Sequence, residues 1–158
     1  MNAGYKFIKS GKDYEFFTAY GAAYAVSFAL VGGYFDTLHP LKDFLYRIDI
    51  AQMNTGPYNR QDMLTGITVA EIVNDFFETD NRNVLFYICD PKDGRMKARQ
   101  RKFDYWYRLF NNSCTRIIAD ISTKNIFVEV VFIFDSNNPF AYDLPLIIDE
   151  AKNNFDNK

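Results

Sequence analysis

Apolar and polar residues alternate along the first fifty positions. Tyr5 and Phe7 flank Lys6, and Tyr14, Phe16 and Thr18 enclose Glu15 and Phe17. Tyr24, Val26, Phe28 and Leu30 alternate with small residues until Gly32-Gly33 breaks the run. Beyond a loop holding His39-Pro40, Phe44, Tyr46, Ile48 and Ile50 alternate with Leu45, Arg47, Asp49 and Ala51. A period of two is the strand period. The pattern therefore predicts four antiparallel strands, the last with one buried and one wetter face.

The period then changes. Asn54 to Arg60 reads as a loop, and Thr68 with Glu71 has the spacing of a capping box at a helix start. Val69, Ile72, Val73 and Phe76 supply that helix with an apolar stripe, and Asp80-Asn81-Arg82-Asn83 ends it. Val84 to Cys89 is continuously apolar, which predicts a central strand covered on both faces. A second helix follows over 92–110. Thr115 to Ile121 and Ile126 to Phe134 read as a hairpin, the second strand also central. Asp143 and Pro145 open a last helix with Leu144, Ile147, Ile148, Ala151 and Phe155 on its apolar face. The expected fold is α+β: a single domain over 1–158, with a mainly antiparallel sheet of about seven strands and three helices packed on one side of it.

Composition adds restraint rather than identity. The length of 158 residues suits one domain with a sizeable core, and 24% charged residues suit a soluble one. Aromatics reach 18%, placed mostly at alternating, core-type positions, so they read as a bulky interior before they read as a stacking surface. Phe16 to Phe35 carries no charge over twenty positions, but its glycines, polar residues and strand period argue against a membrane helix. Asp13 and Glu15 stand where a secretory signal would be basic. A cytoplasmic protein with reduced cysteines is expected. Two cysteines without Cys-x-x-Cys spacing and one histidine cannot furnish an ordinary zinc site. Neither a dinucleotide fingerprint nor a phosphate loop is present, so no cofactor and no metal are expected.

Charge changes the picture at one place. Seven of the eighteen basic residues fall between Lys92 and Arg108 against two acids, Asp93 and Asp104. That stretch is +5 in a chain of −2, so the remainder is −7. At about 100° per residue, Met96, Phe103, Tyr107 and Phe110 share a sector of roughly 60° that should face the sheet, with Trp106 at its edge. Arg99 falls inside that sector, and Arg95 and Lys102 flank it. Lys97, Arg101 and Arg108 point the opposite way, into water. A partly buried guanidinium needs a carboxylate. Asp90 and Asp93 are the nearest, and Asp49 or Glu129 could serve from the sheet. Asp90, Asp93, Arg95, Arg99 and Trp106 thus form a ligand or ion-pair cluster, structural or functional. Lys97, Arg101, Lys102 and Arg108 form a candidate surface for an anionic partner.

The run Tyr87-Ile88-Cys89-Asp90, Asp93-Gly94-Arg95, Arg99, Phe103 and Trp106 resembles an uncharacterised bacterial family of small stand-alone proteins, a domain of unknown function. Gly66-Ile67-Thr68, Ile72 and Phe76-Phe77 are similar too. The resemblance covers most of the chain and implies a bacterial single-domain protein whose pattern includes Asp90, Asp93, Arg95, Arg99 and Trp106. It implies no activity. The expectation is a non-enzymatic binding protein turning its basic helix to an acidic protein or a nucleic acid. One alternative is a dedicated nucleic-acid binder, which a pI near 5.4 disfavours. Another is a phosphate-chemistry enzyme built on Asp90, Asp93, Arg95 and Arg99.

Overall fold

The computed structural model describes residues 3–31, 39–54, 62–89, 113–122 and 127–156, together with 97, 101, 104, 105, 107 and 108. Its strands are β1 (Phe7–Ser10), β2 (Asp13–Phe17), β3 (Ala23–Leu30), β4 (Leu45–Gln52), β5 (Val84–Cys89), β6 (Cys114–Ser122) and β7 (Phe127–Asp135). A 3₁₀ turn, Pro40–Phe44, leads into β4. Helix α1 (Met63–Thr79) joins β4 to β5, and helix α2 (Leu144–Asp156) follows β7. The seven strands form one sheet in the order β1-β2-β3-β4-β5-β7-β6. Every pairing is antiparallel except β4 with β5, which α1 bridges as a crossover. The order of elements follows the sequence pattern.

Two expectations need correction. Two α-helices, not three, are delimited among the described residues. Of the expected middle helix, Lys97, Arg101, Asp104, Tyr105, Tyr107 and Arg108 are helical, and the rest lies outside the described residues. The helices also lie on both sides of the sheet rather than on one. Tyr14, Phe16, Val26, Phe28, Tyr46, Leu85, Tyr87, Val131 and Ile133 pack with α1 in one cluster. Val84, Phe86, Val130, Phe132 and Phe134 pack with Leu144, Ile147 and Ile148 of α2 in another. The cause is the double-sided apolarity of β5 and β7, whose successive side chains enter opposite clusters and so demand cover on both faces. Among the described residues, cover on the second face stops at β4. Beyond it Ile8, Glu15 and Phe17 are exposed.

Helix α1 begins earlier than its apparent capping box. Asp62 is the N-cap, its Oδ1 accepting the Thr65 N–H at 2.7 Å. Thr68 and Glu71 lie inside the helix and clasp the chain's N-terminal segment instead. The Thr68 hydroxyl accepts the Tyr5 N–H at 2.7 Å and donates to the Leu64 carbonyl at 2.6 Å. Glu71 Oε1 accepts the Gly4 N–H at 2.9 Å. Approach is close enough that a Cβ on Gly4 would stand 2.8 Å from Thr68 Cα. The Tyr5 hydroxyl completes the clasp by donating to Asp62. This strap buries Thr68 completely and widens the buried face of α1 beyond Val69, Ile72, Val73 and Phe76.

Candidate functional site

The basic segment is tied to the sheet at one end of β6. Tyr107 is half-buried against the α1-side cluster, and its hydroxyl donates to the Cys114 carbonyl at 3.2 Å. The Arg116 guanidinium lies 4.5 Å from the Tyr107 ring centroid, a cation–π distance, and forms an ion pair with Asp104. Arg116 reaches there because it alternates with Cys114 on the same face of β6. The pairing consumes Asp104, one of the two acids in the segment.

Beside the half-exposed Asp104, the other outward charges described in the segment are cationic. Lys97, Arg101 and Arg108 are helical and exposed, as their angular positions predict, and no described residue forms an ion pair with them. At about 100° per residue the three fall within roughly 40° of one another. Tyr105 lies roughly 40° further round and is 44% exposed. Asp90, Asp93, Arg95, Arg99, Lys102 and Trp106 lie outside the described residues. Asp49, one of the sheet carboxylates offered to the buried arginines, is bound by Arg47, which donates from Nε and Nη2. The contact of Arg116 with Tyr107 and Asp104 was not foreseen. Tyr107 was placed on the sheet-facing sector, but nothing local marks Arg116 as its partner.

Other chemistry-bearing side chains are committed to structure. His39 accepts the Leu41 N–H on Nδ1 at 3.0 Å, and its Nε2 lies 3.1 Å from Asp143. Both ring nitrogens are occupied, so the imidazole caps the 3₁₀ turn and ties it to the start of α2 rather than serving as a base. Asp75 accepts from Lys9 at 2.8 Å and from Tyr14 at 2.6 Å, and these bonds hold its carboxyl below the usual range. Burial and the same carboxylate push Tyr14 upward. Asp62 is depressed too, because bonds from Tyr5 and Thr65 outweigh the desolvation that opposes them. Burial raises the half-buried Cys114 thiol to about 11, which leaves it a poor nucleophile. A cavity between Leu41, Leu45, Phe132 and Leu144 holds only about 10 Å³ and has apolar walls, so it offers no substrate site. Among the described residues no cluster of three or more His, Cys, Asp or Glu is placed to hold a metal ion. No described helix is long and apolar enough to cross a membrane.

Comparison with known proteins gives one match. A family model described as a family of unknown function (DUF6169) fits residues 61–141, from the N-cap of α1 to the turn before α2. No curated protein and no solved structure matches the chain.

Proposed function

The chain belongs to this family of unknown function, and from its surface we propose a cytoplasmic bacterial binding protein that presents its basic helix to an anionic partner. In this reading the six helical residues between Lys97 and Arg108 belong to the third helix expected from the sequence. One observation carries it: Lys97, Arg101 and Arg108 share an exposed face, while Asp104 is turned to Arg116. Among the described residues no acid pairs with these three cations, in a chain whose remaining charge is acidic. Ordinary surfaces mix the two signs.

Tyr105 favours nucleic acid as a second, narrower reading. It is exposed beside the three cations, where an aromatic ring can stack on an unpaired base while the cations meet phosphates. Fluorescence anisotropy with labelled single- and double-stranded DNA and RNA, and with polyglutamate, across a salt series tests both. Binding that weakens with salt supports the anionic-partner reading. For duplex DNA, Lys97→Ala with Arg101→Ala should flatten the log–log salt slope by about 2, roughly 0.9 per lost phosphate contact. Binding to single strands that Tyr105→Ala weakens about tenfold supports stacking, which is worth ~1–3 kcal/mol per base. No binding of any of these at low salt removes the proposal.

A further inference from the structure

The two edges of the sheet are built differently. β1 is four residues long, carries Lys9, and turns sharply at Gly11 with φ 62°. Short, lysine-bearing edges resist pairing with another strand. β6 is nine residues long, contains no proline or lysine, and among the described residues pairs with β7 alone. Among the described residues its other edge therefore presents backbone donors and acceptors, apart from the Cys114 carbonyl, which the Tyr107 hydroxyl takes. At its centre stands Ile118, 50% exposed although it lies directly opposite Val131 of the core.

The charges along β6 point to what pairs with it. Arg116, Ile118 and Asp120 share one face, the face toward α1, since Arg116 and Ile118 lie opposite Ile133 and Val131 of that cluster. Asp120 lies directly opposite Glu129. Like charges in that position repel, and no described residue forms an ion pair with either. We propose that β6 pairs antiparallel with β6 of a second copy, about a two-fold axis at Ile118. In that register Ile118 meets Ile118, and Arg116 of each chain stands opposite Asp120 of the other. Both copies gain a cation beside the Asp120–Glu129 pair, which has none among the described residues. Arg116 keeps its bond to Asp104, because a guanidinium has five donors and that bond uses one. The interface is isologous and closed, so it stops at two copies and joins the two seven-stranded sheets into one. The Tyr107–Arg116 contacts of both copies then lie on the same face of the joined sheet.

Sedimentation of the full chain over a concentration series tests this, with folding of each variant checked by circular dichroism. The wild type should show twice its 18.4 kDa mass. Asp120→Lys alone and Arg116→Glu alone each place like charges across the axis, and each should weaken association about tenfold or more. An equimolar mixture of the two should regain the dimer, because every cross-chain pair is then opposite in sign. Ile118→Cys gives an independent reading: it should form a chain-to-chain disulfide on mild oxidation, since opposed residues in an antiparallel pair stand about 4.5–5.5 Å apart at Cα. Ile8→Cys, on the other edge, and the wild-type cysteines should not. A monomer at all concentrations overturns the proposal, as does a dimer that folded Asp120→Lys does not weaken. A folded mixture that fails to restore the dimer overturns the register. If Arg116→Glu does not fold, the crosslink at position 118 decides, and its absence overturns the proposal.

Discussion

Replacing Thr68 by valine removes one oxygen and almost nothing else. The side chain is fully buried, and its hydroxyl bridges the N-terminal segment and α1. Valine keeps the shape but turns a methyl toward the Tyr5 N–H, whose bond of 2.7 Å has no substitute there. Leu64 loses less, because its carbonyl retains the ordinary helical partner four residues on. The cost is one stranded donor, about 1–3 kcal/mol. For a chain of this size that lowers Tm by about 3–10 °C. Thr68→Ser separates bonding from packing: it keeps the oxygen and loses one buried methyl, a change of about 1 kcal/mol. Thermal melts of the three proteins should therefore rank wild type above serine above valine. Amide exchange at Tyr5 should accelerate in the valine variant alone. A valine variant that melts within about 1 °C of wild type, or above the serine one, would show that packing rather than the clasp holds the strap.

Gly4→Ala should loosen the same strap, because its methyl would meet the backbone of Thr68 at 2.8 Å, which cannot turn aside as a side chain tip would; rapid exchange at Tyr5 is the readout. Acid should destabilise the fold through Asp62, Asp75 and Asp80, all held below their ordinary 3.8 when folded. Depressed folded values mean that this stability is complete above about pH 4 and lost as the pH falls below it, so urea midpoints should drop there and Asp75→Asn should blunt the drop. Asn138→Ala should cost about 1–3 kcal/mol in urea melts, since the buried Asn138 amide donates to the Arg82 carbonyl at 3.2 Å and accepts the Phe140 N–H at 2.8 Å. Cys114, with its thiol near 11, should react with iodoacetamide at pH 8 on the order of a hundredfold more slowly than a free thiol.

Strand alternation was legible because the wet face of β2, and of β4 beyond the buried Leu45, leaves its mark at every second residue. Tyr14 and Phe16 are buried, while Asp13 and Glu15 between and before them are exposed. The start of α1 was not legible. Thr68-x-x-Glu71 has the spacing of a cap, and only the distant Gly4–Tyr5 segment shows that these side chains bond across the fold rather than back to their own helix. Placement of helices on both faces was in principle readable from β5 and β7, whose unbroken apolar runs require two covers. For the candidate site, the outward direction of Lys97, Arg101 and Arg108 followed from helical rotation alone. The link from Arg116 to Asp104 did not, because it depends on where the segment docks against β6, which no local pattern encodes.

The strand order carries a consequence for synthesis. β1 to β4 pair with their neighbours in the order they are made, and α1 follows at once to cover one side of them. β5 can then dock on β4, but its other edge has no partner until Phe127–Asp135 has been translated, because β7 and not β6 lies beside it. Until then a strand apolar on both faces stands open at the growing edge of the nascent sheet, lacking also the cover of α2. A ribosome that stalls between Cys89 and Phe127 releases a fragment with that edge exposed, the feature by which partly folded sheets aggregate. For this chain, a pause in that interval is more hazardous than one at Thr79, when the first four strands already have their helix.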